Sequence, residues 1–144
     1  MQVEDSSDDA RLLELAFQRA GITNPIVTVK TGEDALRYFK GEGVYANRAI
    51  FPPPRILLLD LKLPGMSGFD VLNSLIMESR LTNVLVVVVS GYAEIFLVRR
   101  AYALGAHTFL TKPVHDTDVA NLVNAFREYW VKSPMKETQL AAVS

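Results

Sequence analysis

Four apolar stretches of this sequence each stop at a group that can do chemistry. Ile56 to Leu59 runs without polar alternation into Asp60, Val84 to Val89 into Ser90, and His107 to Thr111 into Lys112, while Val3 precedes the acidic pair Glu4 and Asp5. Unbroken apolar runs of this length suit strands of a parallel sheet covered on both faces, and such sheets present ligand sites beyond the carboxyl ends of their strands. Three carboxylates within a few ångströms repel one another and call for a cation among them. All-oxygen donors with room for water and a phosphate oxygen favour a hard divalent ion such as Mg²⁺, held by Asp5 and Asp60. An aspartate with an ordinary pKa near ~3.9 is ionised at pH 7 and can attack without a general base. Attack on a phosphoryl group mainly requires alignment and neutralisation of equatorial charge, which the metal, the Lys112 ammonium and the Ser90 hydroxyl would supply. A phospho-aspartate would then draw Ser90 and Lys112 toward its new oxygens and shift the helix between their strands, which is a switch.

The elements that must position these groups alternate strand and helix five times. Met1 to Glu4 reads as the tail of a strand whose beginning is missing. Ser6 and Asp9, at capping-box spacing, open a helix with Leu12, Leu15, Ala16 and Arg19 or Ala20 at helical intervals and Gly21 as its stop. A strand over about Ile26 to Lys30 follows, then a helix from Thr31 and Asp34 through Ala35, Leu36 and Phe39 to the Gly41–Gly43 region. The connection through Pro52, Pro53 and Pro54 is long and extended. After Asp60, Pro64 and Gly65 supply a turn and Ser67 caps a helix whose inward stripe is Phe69, Leu72, Leu75 and Ile76. Ala93 to Leu104 reads as a helix with Phe96 or Leu97, Ala101 and Leu104 inward. The last helix, from about Asp116, carries Val119, Leu122, Val123, Phe126 and Trp130 on one face. The expected fold is α/β: a five-stranded, doubly wound parallel sheet of flavodoxin-like type in one domain over residues 1–132, with a disordered tail over 133–144.

Composition narrows the function classes. A formal charge of -1 gives no basic excess for nucleic acid or a membrane surface, and the absence of cysteine removes disulfides and thiolate chemistry. Val84 to Val89, the longest apolar run, is far below the ~20 residues that span a bilayer, and the acidic N-terminus lacks signal-peptide features, so the expected location is the cytoplasm. His107 and His115 lack partners at metal-ligand spacing. Ser90 also reads as a helix cap, and Phe96, Arg99, Arg100, Tyr102 and Trp130 as core or as a partner surface.

The stretches VED, LLLDLKLPGMSG, VVVVSGY and FLTKP together resemble the receiver domain of two-component response regulators over nearly the whole chain. By that resemblance Asp60 is the phosphoacceptor, Glu4 and Asp5 form the acidic pocket with Glu4 indirect or through water, and the Lys62 backbone carbonyl is a further metal ligand. Ser90 is the switch hydroxyl, Phe109 the switch aromatic in place of the commoner tyrosine, and Lys112 the phosphate-binding lysine before a cis peptide at Pro113. The resemblance also implies a phosphohistidine donor on a sensor histidine kinase, a role as signalling module and not as a metabolic enzyme, and pairing of two copies through the last two helices and strand. The loop GEGVYANRAIFPPP and the lack of an output domain are similar to stand-alone regulators of phytochrome-type histidine kinases. A phosphohydrolase of the haloacid dehalogenase type would want a second aspartate two residues after the nucleophile; that position is Lys62. A scaffold with a decayed pocket is disfavoured by the intact set Asp5, Asp60, Ser90 and Lys112.

Overall fold

In a computed structural model, which describes residues 1–133, the chain forms five parallel strands and five α-helices in strict alternation. The strands are β1 (Gln2–Val3), β2 (Thr28–Val29), β3 (Ile56–Leu59), β4 (Leu85–Ser90) and β5 (Thr108–Thr111), in the sheet order β2-β1-β3-β4-β5. The helices are α1 (Ser7–Arg19), α2 (Gly32–Lys40), α3 (Gly68–Met77), α4 (Ile95–Ala103) and α5 (Asp116–Ala125). This is the flavodoxin-like doubly wound arrangement, whose order reverses between β1 and β3.

Alternation along the central strands divides the core into two layers. Leu57, Leu59, Val86 and Val88 face Ala35 and Phe39 of α2, Phe69, Leu72 and Leu75 of α3 and Ala101 of α4. Ile56, Leu58, Leu85, Val87 and Val89 face Leu13, Ala16 and Phe17 of α1 and Val119, Leu122 and Val123 of α5. Both faces are dry, which explains why β3 and β4 read as continuous apolar runs; each fully buried Leu or Val contributes roughly 1.5–3 kcal/mol.

Helix starts follow their caps. The hydroxyls of Ser6, Thr31 and Ser67 accept from the amides of Asp9, Asp34 and Asp70 at 3.2, 3.1 and 3.2 Å. Inward stripes depart from expectation on α1 and α3. On α1 the buried residues are Ala10, Leu13, Ala16 and Phe17, while Leu12 is 60% exposed, because the phase that brings Phe17 under Trp130 turns Leu12 outward. On α3 Val71 is buried and Ile76 is exposed, whereas α4 packs as expected, with Leu97, the one of the two alternatives that turns inward, beside Ala101 and Leu104. The last helix stops at Ala125, since Phe126 leaves helical geometry, and Arg127–Tyr129 is a 3₁₀ turn. Trp130 is therefore off the helix, yet it stacks on Phe17 with ring centroids 5.1 Å apart. The following residues turn back onto the α1–β2 loop, with Ile22 bridged to Lys132 and Ser133 N donating to Gly21 O at 2.7 Å. The tail expected to be disordered lies outside the described residues from 134 onward. The long α2–β3 connection is anchored by Arg48, which donates to the carbonyl oxygens of Phe39 (2.7 Å) and Phe51 (3.1 Å), and by the rings of Tyr38, Tyr45 and Phe51. Among the described residues no helix is long and apolar enough to cross a membrane.

Candidate functional site

Strand register brings the chemistry-bearing residues to one edge. Val3 pairs with Leu59 and Leu59 with Val88, so Glu4 and Asp60 leave their strands side by side; Ser90 pairs with Thr111, which puts Lys112 one step beyond. Backbone ladders hold the exits, with Asp60 N donating to Val3 O at 3.1 Å and Lys112 N to Ser90 O at 2.8 Å. Glu4 and Asp60 are buried and Asp5 is exposed. The amide of Lys62 donates to Asp60 Oδ1 at 3.2 Å and that of Ser6 to Glu4 Oε2 at 3.3 Å. Gly68 is required here by close approach: a Cβ would lie 2.3 Å from the Asp60 carbonyl oxygen, where α3 is pressed against the β3 exit.

The Lys112 ammonium sits among carboxylates. Its Nζ donates to Glu4 Oε1, to Asp9 Oδ2 at 3.0 Å and to Asp60 Oδ2 at 3.2 Å, and the Lys112–Pro113 peptide is cis. Glu4, Asp5 and Asp60 each offer an oxygen within 4.8 Å of the others. Burial pushes the Glu4 carboxyl up to about 7, with Asp60 adding to the rise and the bond from Lys112 opposing it. Burial alone would lower the Lys112 ammonium, but its bonds to Glu4 and Asp9 and the charges of Asp60 and Glu4 hold it above its ordinary value. Both shifts have one meaning: the cluster is short of positive charge and retains protons. That shortage, and a donor set made wholly of oxygen, fit a hard divalent cation.

Ser90 is fully buried, and its hydroxyl accepts from the amide of Tyr92 at 3.1 Å, a loop-capping bond. Phe109 is half-buried on β5 against the α2–α4 layer. His107 Nδ1 accepts from Val86 N at 3.0 Å, which makes its ring structural, whereas exposed His115 contributes its backbone amide, which donates to Asp118 at the start of α5. Two side-chain contacts at the site were not expected from the sequence. Asp9 reads there as a helix cap partner, yet its carboxylate is on Lys112. Lys62 carries its ammonium 3.7 Å from the centre of the Tyr92 ring, joining the β3–α3 and β4–α4 loops beside Asp60.

The family model of the response regulator receiver domain matches residues 1–124. Among curated relatives, "Probable methanogenesis regulatory protein FilR2" of Methanothrix harundinacea is 35% identical over 130 residues, covering 90% of this chain and 81% of that protein. Response regulator Rcp1 of Synechocystis is 28% identical over 131 residues, covering 91% and 87%, and its Mn²⁺-bound crystal structure superposes with a TM-score of 0.73 over 93% of this chain and 96% of that one. The phosphorylated cyanobacterial phytochrome response regulator RcpA superposes with a TM-score of 0.73 at 30% identity, covering 93% and 94%. The chain belongs to the response regulator receiver family and is a phosphorylation-based signalling module of two-component systems.

Proposed function

We propose that Asp60 is the phosphoacceptor and that Mg²⁺ is the resident cation, held by Asp5, Asp60 and the Lys62 backbone carbonyl, with Glu4 behind them directly or through water. The observation that carries the reading is the convergence on Asp60 of two further carboxylates and an ammonium from two distant segments. The metal-bound relative Rcp1 supports a divalent cation at such a site. When bound, the cation supplies charge neutralisation at the phosphoryl oxygens.

The donor is a phosphohistidine of a sensor histidine kinase, and the phytochrome regulators among the neighbours favour a phytochrome-type kinase. An Asp60 oxygen attacks phosphorus, the P–N bond breaks, and the imidazole nitrogen leaves with the electron pair. The amide of Lys62 holds Asp60 Oδ1, so Oδ2, the oxygen facing Lys112, is the one that Lys112 shares with the incoming phosphoryl group. Catalysis extends only to the chain's own phosphorylation and dephosphorylation. Ser90 releases the Tyr92 amide to reach the phosphoryl group, Phe109 turns inward, and the α4–β5–α5 face changes. Ile95, Phe96 and Tyr102, exposed on α4, make that face the surface through which two copies pair. The unit comprises residues 1–132, works in the cytoplasm, and contacts neither nucleic acid nor membrane directly.

Phosphotransfer from candidate histidine kinases tests the reading. Asp60→Asn, nearly isosteric, is expected to abolish labelling while retaining the circular dichroism of the wild type. Persisting label moves the phosphosite elsewhere.

A further inference from the structure

Asp9 occupies the third position of α1, where its spacing from Ser6 marks it as half of a capping box. Only one half is made. The Ser6 hydroxyl accepts from Asp9 N at 3.2 Å, but the amide of Ser6 is taken by Glu4 Oε2 at 3.3 Å, so the Asp9 carboxylate is released from its local partner. It crosses instead to Lys112, 103 residues away, at 3.0 Å. An ammonium has three N–H donors. Those of Lys112 are divided among Glu4, Asp9 and Asp60.

The three acceptors are not equivalent. Glu4 and Asp60 belong with Asp5 to the cluster that converges on a cation, and Asp9 does not. A cation draws the oxygens of Glu4 and Asp60 to itself, and a phosphoryl group takes the donor that Asp60 Oδ2 had. Asp9 is then the carboxylate that keeps hold of Lys112. Its side chain, 42% exposed, lines a groove of about 460 Å³ between α1 and the β5–α5 loop, into which an unanchored lysine could swing.

We propose that Asp9 is a positioning residue for Lys112, tying the ammonium to the first turn of α1 so that it already faces Asp60 when the phosphoryl group arrives. This rests on the phosphoacceptor reading above. Without the tie, Lys112 regains the rotamer freedom of a long side chain, and about tenfold in phosphoryl engagement is lost.

The test compares wild type, Asp9→Ala, Asp9→Asn and Asp9→Glu, each alone and with Lys112→Met. Beryllofluoride affinity with saturating Mg²⁺ and the labelling rate with acetyl phosphate are expected to fall about tenfold in Asp9→Ala and Asp9→Asn. Asp9→Glu should recover most of the loss, because a longer carboxylate can still reach the ammonium. Mg²⁺ affinity without beryllofluoride should stay within about twofold, since Asp9 lies outside the cation cluster. In the Lys112→Met background Asp9 substitutions should have no further effect. Wild-type beryllofluoride affinity in Asp9→Ala overturns the proposal, as does a matching loss of Mg²⁺ affinity or an undiminished effect without Lys112. The ¹⁵Nζ resonance of Lys112 reads the contact even if Asp60 is never labelled. Its exchange protection should vanish in Asp9→Ala, and a resonance indistinguishable from wild type refutes the tie by itself.

Discussion

Glu4 sets a pH dependence of cation binding whose size can be worked out. Its carboxyl rises from 4.5 to about 7 through burial, with Asp60 reinforcing and Lys112 offsetting. Between these values the folded cation-free protein holds a proton that the unfolded chain has released. The contribution to stability is therefore fully present below pH 4.5 and lost as pH climbs through 7. In a dry site it would be worth roughly 3 kcal/mol; water reaching the cluster past exposed Asp5 and half-buried Asp9 reduces it to about 1–2 kcal/mol. A bound cation reverses the preference, because it requires the ionised carboxylate. With a carboxyl at about 7, the ionised fraction is about nine tenths at pH 8 and about one tenth at pH 6, so apparent Mg²⁺ affinity should fall about tenfold, or ~1.4 kcal/mol, across that range. A carboxyl left at 4.5 would change it by a few per cent. Lys112, held above its ordinary value, stays charged throughout and adds no slope. Calorimetric Mg²⁺ titrations at pH 6, 7 and 8 in wild type and Glu4→Gln measure the effect. Wild type should show the tenfold slope, and Glu4→Gln should be nearly flat and more heat-stable than wild type at pH 8 in EDTA. A flat wild-type profile, or an equal slope in Glu4→Gln, refutes the charge shortage as its cause.

Three further outcomes follow from the geometry. Gly68→Ala puts a methyl 2.3 Å from the Asp60 carbonyl oxygen, so a loss of about 1–3 kcal/mol in urea melts and slower Asp60 labelling are expected together; a change in neither contradicts the close approach. Tyr92→Ala removes the ring under the Lys62 ammonium, which should cost no more than about 1 kcal/mol of stability but shorten the phospho-aspartate lifetime by admitting water, measured by loss of label. Trp130→Ala, monitored by circular dichroism, should destabilise by roughly 2–4 kcal/mol through the lost stack on Phe17, and an unchanged midpoint would detach the segment after α5 from the core.

What could be read from the chain alone was whatever depends on local pattern. β3 and β4, with unbroken apolar runs, and the caps Ser6, Thr31 and Ser67 were legible because strand burial and helix initiation are written in adjacent residues. The phase of α1 was not, since Leu12 and Leu13 are chemically alike and only the approach of Trp130 to Phe17 decides which turns inward. The end of α5 was missed for a similar reason: Phe126 and Trp130 keep helical spacing although the chain breaks between them. At the site, Glu4, Asp5, Asp60 and Lys112 were legible as polar stops at strand ends. Asp9 was hidden because a side chain at capping spacing carries no sign that its amide partner is already taken.

Charge arithmetic then links the site to the surface. Glu4, Asp9 and Asp60 hold one ammonium and Asp5 adds a fourth acid to the cluster; phosphorylation replaces one carboxylate charge with about −1.5 to −2, up to about one more negative charge, so phosphorylation and cation binding must favour each other by the same factor. On the proposed reading, the ammonium that adjusts to the new charge lies one residue beyond β5, and the hydroxyl that adjusts ends β4. Between these strands lies α4, which buries only Ala101 and whose N-cap, Glu94, makes no capping bond. Few contacts resist its displacement, so α4 is the element that can move at least cost. Ile95 and Phe96, exposed at its start, are the groups such a movement would re-present to a partner.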